Sequence, residues 1–225
     1  MTEKSAPAAL WHHYDSLAHQ QETTALGMWV FLATEVLIFG AMFTGYTVYR
    51  IQFLPSFEAV SRHLNLLIGG INTLVLLTSS LTMALGVRAA QLGRSKNTTL
   101  YLLLTAALGS LFMILKATEY YLDYRENLVP LLAFNPSEWT DGGARPQQVQ
   151  LFLIFYYCLT GLHAIHLTIG ITIVLVLAVL AHQRHFTGGY YSPVETWGLY
   201  WHFVDVIWIF LLPLLYLVGT RMSLW

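Results

Sequence analysis

The sequence predicts an all-α, polytopic membrane protein, a bundle of five transmembrane helices. Three observations carry that reading. Of the 225 residues, 56% are hydrophobic and 10% are charged, whereas an ordinary soluble domain carries about 25% charged residues. Five apolar stretches each reach the roughly 20 residues that a helix needs to cross the hydrocarbon core. Those stretches also carry the small and polar residues through which membrane helices approach one another, so they read as a packed bundle rather than as separate anchors.

The first stretch runs from about Ala25 to Tyr49, with Ala41 and Gly45 at small-xxx-small spacing. The second, about Leu66 to Ala90, is rich in small and hydroxyl residues: Gly69, Gly70, Asn72, Thr73, Ser79, Ser80 and Ala84. The third covers about Thr98 to Leu122, the fourth about Val149 to Ala181 and the fifth about Thr196 to Gly219. The fourth is the longest; at 1.5 Å per residue it reaches about 50 Å, so it must tilt or project beyond the membrane. In domain terms, residues 1–24 form a polar N-terminal segment and residues 25–225 a single five-helix membrane domain.

The connections are short, with one exception. Arg50 to Asn65 reads as a polar turn containing Pro55, and Gln91 to Asn97 as a tight basic turn. Asp123 to Gln148 is the long connection, rich in Pro and Gly and acidic through Asp123, Glu126, Glu138 and Asp141. The polar first 24 residues, with His12, His13, Asp15 and His19, lack the basic-then-apolar order of a signal peptide. Lys4, Arg88, Arg94, Lys96 and Arg184 fall on one side of the membrane; Arg50, Arg62, Arg125, Arg145 and Arg221 fall on the other. The counts tie. The dense cluster from Arg88 to Lys96 in the shortest connection places the N-terminus in the cytoplasm and the C-terminus outside. The single cysteine, Cys158, sits in an apolar run, so neither a disulfide framework nor a thiolate metal cluster is available. A net charge of −1 offers no case for nucleic-acid binding.

The chemistry is carried by polar residues at membrane depth. Glu35 stands about ten residues into the first span, roughly 15 Å deep in a core of about 30 Å. A carboxyl there must be protonated or paired. It is either a hydrogen bond to a neighbouring helix or a proton-exchanging, lipid-contacting group facing a cleft. His163 and His166 lie three apart on the fourth span, and His202 and Asp205 three apart on the fifth; on a helix each pair shares a face. The expected packing ties the fifth helix to the fourth through His202 and Asp205, with His163 or His166 as counterpart. A haem held between His202 and one of that pair is the alternative, since bis-histidine ligation takes one ligand from each of two facing helices. Glu119, near the outer end of the third span, has Lys116 three residues earlier and Tyr120 and Tyr121 beside it. This reads as an interfacial ion pair in an aromatic belt. Trp197, Trp201 and Trp208 read as belt and packing residues. No cluster of donors fits copper or zinc.

Five segments together resemble subunit III of the haem–copper cytochrome c oxidases: Gly27–Val36 (GMWVFLATEV), Asn72–Ser80 (NTLVLLTSS), Lys116–Tyr121 (KATEYY), Thr160–His166 (TGLHAIH) and Tyr200–Trp208 (YWHFVDVIW). They occur in the family's order across nearly all of residues 25–220, and the last is the most specific. The resemblance implies a non-redox subunit of a proton-pumping terminal oxidase in a bacterial plasma membrane, working in aerobic electron transport with oxygen reduced to water. It further implies that the chain holds no cofactor, with haem and copper in the partner catalytic subunits. The implied partners are oxidase subunit I, packed directly against this chain, subunit II, and phospholipids in a cleft between helices. Glu35 matches the family's intramembrane glutamate; His163, His166, His202, Asp205 and Glu119 match its other polar positions. None of these is implied to be catalytic. Longer forms have two further N-terminal helices that wall the lipid cleft, so this chain resembles the five-helix bacterial form. Quinol oxidases and nitric oxide reductases have similar subunits; the Thr34-Glu35-Val36 triplet favours a cytochrome c oxidase. A free-standing b-type cytochrome or a small transporter stands as a rival of a different class.

Overall fold

The structure, a computed structural model, describes residues 16–130, 133–139, 144–186 and 191–219. Residues 1–15, with Lys4, His12, His13 and Asp15, lie outside the described residues, as do Asp141 and Arg221. Five long helices carry the fold: α1 (Leu17–Gln52), α3 (Leu66–Gln91), α4 (Ser95–Arg125), α5 (Pro146–His182) and α6 (Ser192–Tyr216). All five are long and apolar enough to cross a membrane. Four of them outrun their apolar stretch, α6 starts early at Ser192 but stops at Tyr216, short of Gly219, and polar side chains cap the N-termini of α1 and α3. At α1 the Ser16 hydroxyl accepts from the His19 amide at 3.2 Å. At α3 the Asn65 side chain accepts from the Ile68 amide at 3.2 Å. Prolines open α5 and α6, where a missing N–H costs nothing.

The connection between the first two spans is a helix rather than the polar turn expected from Pro55. Leu54–Ser61 forms α2, with the proline in its first turn. Its inward stripe is Ser56, Phe57, Val60 and Ser61. Phe57 packs edge-on against Phe152 at 5.3 Å, and the Ser61 hydroxyl donates to the Leu215 carbonyl at 2.8 Å. α2 therefore closes one end of the bundle over α5 and α6. In the long connection after α4, two short strands pair antiparallel, β1 (Leu128–Val129) with β2 (Ala133–Phe134), and a 3-10 turn follows at Pro136–Trp139.

α3 and α4 form a tight antiparallel hairpin. A positive φ at Gly93 (68°) lets its short turn close. Thr82 and Thr105 meet across it at 2.8 Å. α6 lies against both α3 and α5, and its Trp201 fills a slot made by two glycines. A Cβ on Gly109 of α4 would stand 2.8 Å from the indole, and one on Gly170 of α5 would stand 3.2 Å from it. The indole N–H donates to the Ser79 hydroxyl. α1 is the peripheral helix: it meets α6 and α5 along one face and leaves Leu26, Trp29, Leu37 and Ile51 exposed on the other.

Candidate functional site: polar groups at membrane depth

Each polar group takes its place from the stripe of its helix that faces the core. On α5 that stripe runs Val149, Phe152, Leu153, Tyr156, Thr160, His163, Leu167, Gly170. It includes His163 and leaves His166 one step round the helix, towards α1. The two histidines therefore meet different partners despite their three-residue spacing.

Glu35 of α1 and His166 of α5 form a pair, Oε2 to Nε2 at 3.0 Å. The ring's other nitrogen, Nδ1, lies 2.8 Å from the Leu162 carbonyl oxygen. A carbonyl can only accept, so Nδ1 carries a hydrogen. Nε2 then either donates to a carboxylate as imidazolium or accepts from a protonated carboxyl. In both arrangements one proton lies between Glu35 and His166 and the pair is neutral as a whole, as apolar surroundings require. The Phe39 ring packs against the imidazole, and the Tyr200 hydroxyl donates to the His166 carbonyl at 2.9 Å. Glu35 is thus held by a neighbouring helix, at a position still 8% exposed.

The tie expected between α6 and α5 through His202 is made to α3 instead. His202 Nδ1 lies 2.7 Å from the Ser80 hydroxyl. His163 is buried between Phe112 and Trp208, with ring centroids 5.6 and 5.1 Å away, and neither of its nitrogens has a hydrogen-bond partner. Asp205 is also buried and both of its oxygens lack one; Ser80 lies beside it outside hydrogen-bonding geometry. The reason is helical phase. His202 and Asp205 sit where α6 faces α3, whereas His163 faces the aromatic core. The haem alternative needs His202 opposite His163 or His166. In the structure His202 is turned to Ser80, His166 to Glu35, and His163 is wedged between two rings. Among the described residues no group of three or more His, Cys, Asp or Glu side chains is placed to hold a metal ion.

Lys116 and Glu119 correct the expectation of an interfacial pair. They continue the α4 stripe that buries Leu102, Thr105, Gly109 and Phe112, and each is 2% exposed. The ammonium reaches Glu119 Oε2 at 3.1 Å, the Tyr156 hydroxyl at 2.9 Å and the Tyr216 hydroxyl at 2.7 Å. All three of its hydrogens are used. Four rings, Tyr120, Tyr156, Trp208 and Tyr216, surround it with centroids 4.7 to 5.5 Å away. Asp123, one turn further on, joins through the Tyr156 hydroxyl at 3.1 Å. The 116/119 spacing was readable in the sequence; Tyr156 and Tyr216, which bury the pair, were not singled out. Their signal was a phenol on the core stripe of an otherwise apolar helix.

An apolar groove of about 530 Å³ opens between α1 and α6, lined by Trp29, Leu32 and Val36 on one side and His202, Phe203 and Val206 on the other. Five spans, an interior of neutralised carboxyl–imidazole and carboxyl–ammonium contacts, and an apolar side groove define a polytopic helix-bundle protein of the bilayer. Similarity to known proteins gives the family. The cytochrome c oxidase subunit III family matches residues 149–220. The chain is 33% identical over 196 residues to cytochrome c oxidase subunit 3 of Synechocystis sp., covering 85% of this chain and 74% of that protein. It is 26% identical over 211 residues to cytochrome bo(3) ubiquinol oxidase subunit 3 of Pseudomonas aeruginosa, covering 93% and 91%. It is 31% identical over 198 residues to the haem-copper oxidase subunit I+III of Aeropyrum pernix, covering 85% of this chain and 22% of that protein. The chain belongs to the cytochrome c oxidase subunit III family. It is accordingly a multi-pass membrane subunit of an oxidoreductase complex.

Proposed function

We propose that this chain is the non-redox subunit III of a proton-pumping cytochrome c oxidase of a bacterial inner membrane. In this reading residues 25–225 act as one membrane domain behind a polar segment, 1–24, and the N-terminus is cytoplasmic. It packs directly against subunit I, with subunit II in the same complex, and haem and copper reside in those partners. A relative named as subunit I+III, with both subunits in one chain, supports the contact with subunit I. The α1–α6 groove, apolar apart from His202, suits a phospholipid acyl chain. His163, His166, His202, Asp205 and Glu119 serve helix packing.

The observation that carries the reading is the Glu35–His166 pair. It holds one proton at mid-membrane on the peripheral helix, at a position not wholly closed, where a proton can be passed to water or lipid beside a partner. The chain then supports proton uptake and keeps the active site intact through turnover. Oxidase stripped of this chain keeps its haem spectrum and its initial oxygen consumption at low pH. It loses activity progressively during turnover, faster as pH rises and protons become scarce. Identical time courses for stripped and complete enzyme at two pH values would reduce the chain to an assembly scaffold. Immediate loss of activity with altered haem bands would place part of the redox site here. The similarity to a ubiquinol oxidase subunit supports a second reading, in which quinol replaces cytochrome c as electron donor. Oxidation assays of the complex with each donor separate the two.

A further inference from the structure

The Lys116 cluster is centred on α4 and shares no residue with the Glu35–His166 pair, and the proton role assigned to that pair makes no chemical use of it. Its hydrogen count is incomplete. The Tyr156 hydroxyl oxygen lies 2.9 Å from Lys116 Nζ, 3.1 Å from Glu119 Oε1 and 3.1 Å from Asp123 Oδ2. The ammonium supplies one hydrogen to that oxygen. The phenol has one hydrogen of its own and can serve one carboxylate. If both acids are ionised, the remaining oxygen–oxygen contact has no hydrogen in it and sets a phenol lone pair against a negative charge. The charge count agrees: one ammonium and two carboxylates leave the buried cluster at −1, in surroundings where an uncompensated charge is costly. One added proton resolves both difficulties.

The surroundings decide where that proton rests. Glu119 accepts from Lys116 at Oε2 and from the Tyr216 hydroxyl at Oε1, so it is well supplied as an anion. Asp123 has the Tyr156 hydroxyl. It is also the most exposed of the three, at 6%, and lies within a turn of the α4 end at Arg125. Tyr157 stacks edge-on against Tyr156 at 5.0 Å, and its buried hydroxyl lies beside Asp123 outside hydrogen-bonding geometry. Among the described residues the titratable groups around the acid are Lys116, Glu119, Tyr120 and Glu126 from α4 and its cap, Tyr156 and Tyr157 from α5, and Tyr216 from α6. α3 contributes none; its sole ionisable residue, Arg88, stands at the opposite end.

We propose that Lys116, Glu119, Asp123 and Tyr156 form a proton-holding site: one exchangeable proton is shared between the Asp123 and Glu119 carboxyls across the Tyr156 hydroxyl and enters and leaves through Asp123. Its source and sink is the aqueous phase at the α4 C-terminal end. The site goes beyond the Glu35 reading and stands or falls separately from it, since the two share no residue.

The test is infrared difference spectroscopy of the purified oxidase containing this chain, titrated from mildly acidic to mildly alkaline pH in wild type, Asp123→Asn, Tyr156→Phe and Glu35→Gln. The expected result is a protonated-carboxyl signal that is lost in Asp123→Asn and kept in Glu35→Gln. Removing the bridge in Tyr156→Phe shifts its midpoint by about one pH unit or more, roughly tenfold in proton affinity. A wild-type carboxyl signal reproduced in full in Asp123→Asn overturns the proposal. So does a midpoint unmoved in Tyr156→Phe, which would describe an isolated acid. If Asp123→Asn fails to co-purify with the oxidase, Tyr156→Phe decides the matter by itself on the same criterion.

Discussion

Replacing Lys116 by methionine keeps an unbranched side chain, one atom shorter, and removes its charge. The structure fixes what is lost: hydrogen bonds to Glu119, Tyr156 and Tyr216, and the cation among four aromatic rings. A hydrogen bond to a charged group is worth about 1.5–3 kcal/mol. Breaking a buried ion pair from one side costs about 3–5 kcal/mol, because the other charge is left behind. Methionine recovers some packing through sulfur–aromatic contacts, each roughly 0.3–1.5 kcal/mol. A net loss near 3–5 kcal/mol moves the melting temperature of a chain of this size by about 6 to 20 °C. The assay is thermal denaturation of the detergent-purified chain, with retention in the oxidase after heating as a second readout. Lys116→Met/Glu119→Gln removes both charges and should regain about 1–2 kcal/mol, since contacting residues couple by 0.5–3 kcal/mol. A melting temperature lowered by less than about 2 °C in Lys116→Met would refute the reasoning. So would a double variant less stable than the single one.

Gly109→Ala puts a Cβ 2.8 Å from the Trp201 indole and 3.1 Å from Ile171. Overpacking costs about 1–3 kcal/mol, and the gain in helix propensity returns up to about 1 kcal/mol. A net loss of about 1–2 kcal/mol is expected in the same melt, while Gly70→Ala, with nothing within 4 Å of the new Cβ, is tolerated; equal behaviour of the two would mean that the slot is not tight. Asp205→Asn replaces a buried carboxyl whose oxygens have no hydrogen-bond partner by an amide of the same shape, so stability and retention in the complex should hold or rise. A clear drop would reveal a polar partner for Asp205 that the present packing does not provide.

The number and order of the spans were legible because the apolar stretches are long and the bilayer sets one length for all of them. Glu35 stood out for the same reason, as a carboxyl in hydrocarbon. Its partner did not: the three-residue spacing assigns His163 and His166 alike as counterparts of the fifth span, α6, whereas which of them faces α1 depends on the rotation of α5 about its axis. That rotation is set by the aromatic residues it packs against. The Lys116–Glu119 spacing was visible, but its depth was misjudged from Tyr120 and Tyr121, which look like an interfacial belt. The α4 stripe through Thr98, Leu102, Thr105, Gly109 and Phe112 was the better guide, because it continues into Lys116, Glu119 and Asp123. α2 was missed by reading Pro55 as a breaker, although a proline in the first turn starts a helix as readily as it ends one.

The Glu35–His166 contact joins residues 131 apart in the chain, which has a consequence for synthesis. At about 5–20 residues per second the imidazole is made roughly 7 to 26 s after the carboxyl. Throughout that interval α1 must reside in the bilayer with its glutamate alone, at an insertion cost of about 3 kcal/mol. Val30, Phe31, Leu32, Val36, Leu37, Ile38 and Phe39 flank it. At roughly 0.3–0.6 kcal/mol each, they return about 2 to 4 kcal/mol on insertion. Several of them, Leu37 among them, touch little in the finished bundle. Their service falls earlier, in holding a nascent helix within the membrane until its docking partner leaves the ribosome.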